Sequence, residues 1–94
     1  MAGWVYILAN RPNGTLYVGV TADLLRRVWQ HRTHVTGGFT VRYGVMRLVY
    51  FEECATMPDA IQREKNIKHW PRAWKVRLIH SLNPDWDDLY GSLL

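Results

Sequence analysis

Two short apolar runs with a turn sequence between them set the first constraint on this chain. Trp4 to Ala9 and Leu16 to Val20 each read as a strand, and Pro12-Asn13-Gly14-Thr15 separates them. Asparagine and glycine tolerate positive φ, so Asn13 and Gly14 suit the turn of a hairpin. Side chains alternate across a sheet. With any even loop length, Tyr6, Tyr17 and Gly19 therefore share one face.

Thr21 is a candidate cap for a helix from about Ala22 to Thr33. On it Leu24, Leu25, Val28 and Trp29 form one apolar stripe. Arg27, His31 and His34 fall along one edge of that stripe, and Arg26 on the other. Leu48 to Phe51, extended from Met46 to Glu53, reads as a third strand. Thr56 and Pro58 open a second helix, Met57 to Trp70, and Asp59 suits its positive end. Pro71 interrupts it. A further helix is expected from about Arg72 to Ser81, with Trp74 and Leu78 four apart. Asn83-Pro84 then begins a short turn packed through Trp86 and Leu89. The expected fold is an α+β domain: a small three-stranded antiparallel sheet flanked by helices.

At 94 residues the chain fits one domain, residues 1–94. Its longest apolar run, Trp4 to Ala9, is far short of the roughly 20 residues of a membrane helix. The N-terminus shows no secretory pattern, and Cys54 is the single cysteine. A cytoplasmic location is the expectation. The net charge of +4 is modest, but its distribution is uneven. Residues 63–80 carry Arg63, Lys65, Lys68, Arg72, Lys75 and Arg77 against Glu64 alone. Residues 1–47 carry six arginines against Asp23 alone. Such segregation points to a polyanion partner, with an ordinary solvated surface as the plain alternative.

Glu64 is the odd residue. Met57, Ala60, Ile61 and Ile67 build the apolar face of the second helix, and Glu64 falls in its middle. A buried carboxylate needs a partner: a cation, a tyrosine hydroxyl or a metal ion. A structural ion pair and a functional carboxylate are both open at this point. By residue type alone, His31 is most simply a surface histidine, Tyr6 and Tyr17 core or hydrogen-bonding residues, the tryptophans mostly core residues, Gly19 a site of close packing and Asn83 a helix cap.

Together these residues resemble the GIY-YIG endonuclease family, in its small single-domain bacterial branch. Trp4-Val5-Tyr6 stands for the first signature tripeptide, with Trp4 in place of its glycine, and Tyr17-Val18-Gly19 for the second. The family's arginine falls on Arg27, its histidine on His31 and its metal-binding glutamate on Glu64. Asn83 resembles its late asparagine, at a longer spacing.

The resemblance implies a metal-dependent endonuclease that hydrolyses phosphodiester bonds, of DNA ahead of RNA, with structure-specific or weak specificity. Tyr6, Tyr17, Arg27, His31 and Glu64 would be catalytic, with Mg²⁺ or Mn²⁺ on Glu64. A hard ion of this kind takes one carboxylate and waters. Arg27 would pair with phosphate oxygens. Tyr17 is the first choice of general base. Tyrosine ordinarily titrates near 10, so that role needs positive charge beside it. His31 is the alternative base or a relay. Arg26, Arg42, Lys65, Lys68 and Arg72 would contact phosphates, and Gly19 and Asn83 would serve structure or substrate contact. The loop from Gly37 to Gly44 would shape substrate entry. No targeting module is visible, so any sequence specificity would come from the core itself or from a protein partner. The alternatives are an inactive nucleic-acid-binding module and a protein-interaction scaffold of the same fold.

Overall fold

The computed structural model describes residues 1–33 and 43–94. Arg42 and most of the loop expected to shape substrate entry lie outside the described residues. Strands β1 (Gly3–Ala9), β2 (Leu16–Thr21) and β3 (Arg47–Cys54) form one antiparallel sheet in the order β2-β1-β3. Helix α1 (Leu24–Arg32) follows the hairpin. Helices α2 (Met57–Lys68) and α3 (Arg72–Leu82) follow β3, and a 3₁₀ turn, Leu89–Leu93, closes the chain.

Both faces of the central strand are covered. Val5, Ile7 and Ala9 pack with Val18 and Val49 under Ala60 and Ile67 of α2 and Ile79 of α3. Tyr6 and Leu8 face the other way, against Leu24 and Val28 of α1. A strand buried on both sides must be apolar at every position, which is why residues 4–9 read as an unbroken run.

The hairpin differs from expectation in its turn. Tyr6 pairs with Gly19 and Ala9 with Leu16, so residues 10–15 form a six-residue loop. The tight turn inside it is closed by Gly14 N–H donating to the Arg11 carbonyl at 3.0 Å. Pro12 and Asn13 are its central residues, and Asn13 takes the positive φ, 58°. The register moves by two residues from that of an Asn13-Gly14 turn. The shared face of Tyr6, Tyr17 and Gly19 is therefore kept.

Helix α1 also starts later than expected. Asp23, not Thr21, is its N-cap, accepting the Arg26 N–H at 3.2 Å. Thr21 instead accepts the Asp23 N–H at 3.1 Å and forms the turn before it. Leu25 and Trp29 are largely exposed, and His31 takes the buried position that the apolar stripe assigned to them. On α2 the expected Thr56 cap is present, accepting from Asp59 N–H. Trp74 is half exposed on α3, so the tryptophans are not all core residues.

Asn83 is buried, and its role here is structural. The β1–β3 register shifts between Ile7 and Leu8, which places Val49 in a bulge. Asn83 Nδ2 donates to the Val49 carbonyl at 3.1 Å and to the Asp87 carbonyl at 2.8 Å, while Oδ1 accepts from Asp87 N–H. One amide thus ties the bulge to the C-terminal segment. Asn83→Ala is expected to destabilise the domain by about 2 kcal/mol, because it strands buried backbone groups. Urea unfolding at neutral pH measures this, and an unchanged midpoint would contradict the assignment.

Candidate active site

The Tyr6 ring lies across the sheet over Gly19, its direct partner in the hairpin. A Cβ at position 19 would meet Tyr6 Cζ, with the hydroxyl at 2.5 Å and Cε1 at 2.9 Å. Only glycine leaves room for the ring. Gly19→Ala should therefore push Tyr6 off its place and destabilise the protein by about 1–3 kcal/mol, the usual range for overpacking. Denaturant unfolding together with the His31 ring NMR shifts tests this, and wild-type values in both would refute it.

Tyr17 sits on the same face, its ring centroid 6.3 Å from that of Tyr6. From α1, His31 meets Tyr6 at 5.8 Å and Tyr17 edge-on at 5.3 Å. The Tyr6 hydroxyl and His31 Nε2 are 2.9 Å apart. Both residues are almost fully buried. Arg27, one turn before His31, places its guanidinium within hydrogen-bonding reach of both phenols. Its Nη1 also donates to Gln30 Oε1 at 3.2 Å. Gln30 was not anticipated from the sequence; its position three residues after Arg27 was the available signal.

Residues 2–77 match the family profile described as the GIY-YIG catalytic domain. The chain belongs to the GIY-YIG family. A UPF0213 protein of Pseudomonas aeruginosa is 37% identical over 76 residues, covering 81% of this chain and 73% of that protein. A UPF0213 protein of Oceanobacillus iheyensis is 34% identical, covering 81% of this chain and 87% of that one. The solution NMR structure of the UPF0213 protein BH0048 from Bacillus halodurans is similar, with a TM-score of 0.58 and 28% identity. That match covers 94% of this chain and 93% of the other.

In this GIY-YIG domain the two tripeptides lie on adjacent strands and meet at one pair, Tyr6 opposite Gly19. Their tyrosines, Arg27 and His31 form one cluster. Within the cluster Tyr6 and His31 are sealed, and Tyr17 and Arg27 are half-buried. Tyr17 lines a groove of about 310 Å³ along the β2 edge, with Leu16, Val18, Lys68 and Lys75. Lys75 stood in the basic run of the sequence but was not singled out.

Glu64 reaches this region from α2, on the opposite face of the sheet. Its side chain is only 13% exposed, and Lys68 Nζ lies 3.6 Å from Oε2. Of the two alternatives, the structure shows the ion pair; the Glu64 charge also acts on the Tyr6 hydroxyl. Among the described residues, no three His, Cys, Asp or Glu side chains converge as a metal-ligand set.

Of the other basic residues, Arg26 and Lys65 are exposed. Lys68 is engaged by Glu64. Arg72 donates to the Asn13 and Gly14 carbonyls at 2.9 and 2.7 Å, so it braces the hairpin loop instead of standing clear for a phosphate.

Burial and charge fix the protonation of the cluster. Burial chiefly pushes the Tyr6 hydroxyl up to about 12; Tyr17 and Glu64 add to this, and Arg27 offsets part of it. Burial first, and the Arg27 charge second, push His31 down to about 4. For Arg27 burial opposes the charge, but the hydrogen bonds and charge of Tyr6 and Tyr17 outweigh it and raise its value. At neutral pH the cluster therefore holds a neutral Tyr6, a neutral His31 and a cationic Arg27. His31 is not the surface histidine that its residue type suggested, because the Tyr6 hydroxyl gives its ring a buried partner.

Proposed function

We propose that this domain binds a nucleic-acid phosphodiester along the β2 edge and hydrolyses it there, acting on DNA rather than RNA. The observation that carries the reading is the Arg27 guanidinium interacting with the phenols of Tyr6 and Tyr17, on a β2 edge whose groove also bears Lys68 and Lys75. A cation in a half-buried site is stronger than one in water, and a guanidinium offers two parallel donors to phosphate oxygens.

Tyr17 is half-buried where Tyr6 is sealed, so in this reading it is the phenol that takes the proton from the attacking water. Arg27 interacts with the Tyr17 phenol from α1. Tyr6 and His31, both neutral and sealed, hold the cluster in shape. His31 is a positioning residue and not the base, because a ring pushed down to about 4 accepts a proton poorly at neutral pH.

A divalent cation would be held by Glu64, with water and substrate oxygens completing its shell. One carboxylate of this kind fits Mg²⁺ or Mn²⁺, which keep several waters. When bound, such an ion neutralises charge on the phosphate and the leaving oxygen. Lys68 occupies Glu64 at 3.6 Å and must move aside for it.

Binding without cleavage is the second reading, and this ion pair favours it: the carboxylate that would hold the cation already has a partner. The deciding experiment incubates wild type and Glu64→Gln with labelled single-stranded, duplex and branched DNA and with RNA, in Mg²⁺, Mn²⁺ or EDTA. The expected result is metal-dependent cleavage that Glu64→Gln lowers about a hundredfold or more. Folding should persist, since glutamine keeps the size and polarity of Glu64 and leaves behind a lysine that is more than half exposed. Binding with no cutting under any condition establishes the second reading. Neither binding nor cutting leaves the protein-interaction scaffold.

A further inference from the structure

Helix α3 carries a second groove that the proposed chemistry does not use. Trp70, Trp74, Arg77, Leu78 and Ser81 line it, and it measures about 280 Å³. Trp74 is 50% exposed. Trp70 meets it edge-on with ring centroids 5.9 Å apart, and the Arg63 guanidinium lies 5.1 Å from the Trp70 ring centre. Arg63 is itself fixed by Glu52, at 3.1 Å. Trp74 thus presents an indole face from a braced support.

The surroundings say what would cover it. Lys75 and Arg77 flank Trp74 in α3, within the run of six cations against Glu64 alone. Arg77 in the groove and Lys75 next to Trp74 in sequence put cations beside an exposed aromatic, which suits a polyanion with flat apolar faces. A single nucleic-acid strand is such a molecule: its phosphates take the cations, and its unpaired bases stack on aromatic side chains. A duplex hides its base faces and cannot use an indole this way. Helix α3 contributes to both grooves. Lys75 lines the Tyr17 groove, and its neighbours Trp74 and Leu78 (the latter one turn on) line this one.

We infer that Trp74 is a stacking platform for an unpaired base of a strand whose backbone passes Lys75 into the Tyr17 groove. The inference rests on the nucleic-acid reading above and narrows its substrate class to nucleic acid with a single-stranded segment. Stacking tolerates any base, so the site selects structure and not sequence.

The test measures fluorescence anisotropy of labelled oligothymidylate of about ten nucleotides, within the range one such site spans. The comparisons are an abasic oligomer of equal charge and a duplex of equal length. Wild type should favour oligothymidylate over the abasic strand. Trp74→Ala should weaken oligothymidylate binding about 5- to 150-fold, as loss of one base–aromatic stack does, and erase that preference. Trp74→Phe should keep most of it, and abasic and duplex binding should change less than about twofold. Unchanged oligothymidylate affinity in Trp74→Ala, or an equal loss for all three ligands, overturns the stacking role. Glu64-dependent cleavage in that same variant would show that the active-site reading survives on its own. No binding of any ligand by wild type ends both readings. Self-association that Trp74→Ala abolishes would assign the groove to a second copy of the chain.

Discussion

Arg27→Ala should lower the single-turnover cleavage rate by about 10²–10³, the range seen when a fixed donor to developing charge is removed. Arg27 is the cation of the cluster, within hydrogen-bonding reach of Tyr6 and Tyr17 and held by Gln30 at 3.2 Å. Its position is fixed before substrate arrives, so little reorganisation is needed when charge builds on the phosphate oxygens. Arg27→Lys should recover only a small part of the rate. Lysine carries the charge as a point on a flexible stem and cannot serve two phenols and a phosphate in one plane. The loss should fall mainly on the rate, because Lys68 and Lys75 still line the groove and contribute to affinity. A variant that cleaves at the wild-type rate would remove Arg27 from the mechanism.

The same substitution separates chemistry from architecture. The Arg27 charge helps hold the His31 imidazole low and the Tyr6 hydroxyl from rising further. Without it, the His31 titration observed by NMR should move up toward the ordinary 6.5. Arg27→Ala should therefore change a histidine that remains in place. Lost cleavage without a moved His31 titration would mean that the guanidinium does not sit beside the ring.

What the sequence made legible was local. Alternation put Tyr6, Tyr17 and Gly19 on one face, and it held although the turn moved, because the loop length stayed even. The Thr56 cap and the Pro71 break were likewise set by side-chain chemistry next to the backbone they control. The errors came where distant residues decide. Asp23 took the cap from Thr21 because both side chains can accept an N–H, and the path out of β2 chose between them. His31 was buried by a partner 25 positions away. Arg72 was drawn to hairpin carbonyls that no pattern within its helix could reveal. For Glu64 the helical wheel placed the carboxylate on the packed side, where it is 13% exposed, yet it could not distinguish Lys68 from a metal as its partner.

Between pH 6.5 and pH 4 the protein should lose on the order of 3 kcal/mol of stability through His31 alone. In the unfolded chain the imidazole takes up a proton near 6.5, whereas in the folded cluster burial and the Arg27 charge delay this to about 4. Within that window the unfolded state binds more protons than the folded one, so stability falls as the pH falls. Above 6.5 both states are neutral at this site, and below 4 both are charged, so the contribution is flat on either side. The acid arm of Asp88 lies lower. Burial would raise its carboxyl, but hydrogen bonds from Arg32, Tyr90 N–H and Leu48 N–H outweigh burial and hold it below 3.8. The two effects therefore separate along the pH axis. Urea unfolding at half-unit steps from pH 7.5 to 3 resolves them on the scale set by the shifted imidazole. His31→Gln removes the titrating group but keeps a polar partner for the Tyr6 hydroxyl. It should flatten the 6.5-to-4 segment and leave the Asp88 arm intact. A folded-state His31 titration near 6.5, or a stability profile level across that segment in wild type, would show that the ring is open to water. The sealed Tyr6–His31 pair could not then be what holds Tyr17 and Arg27 in place.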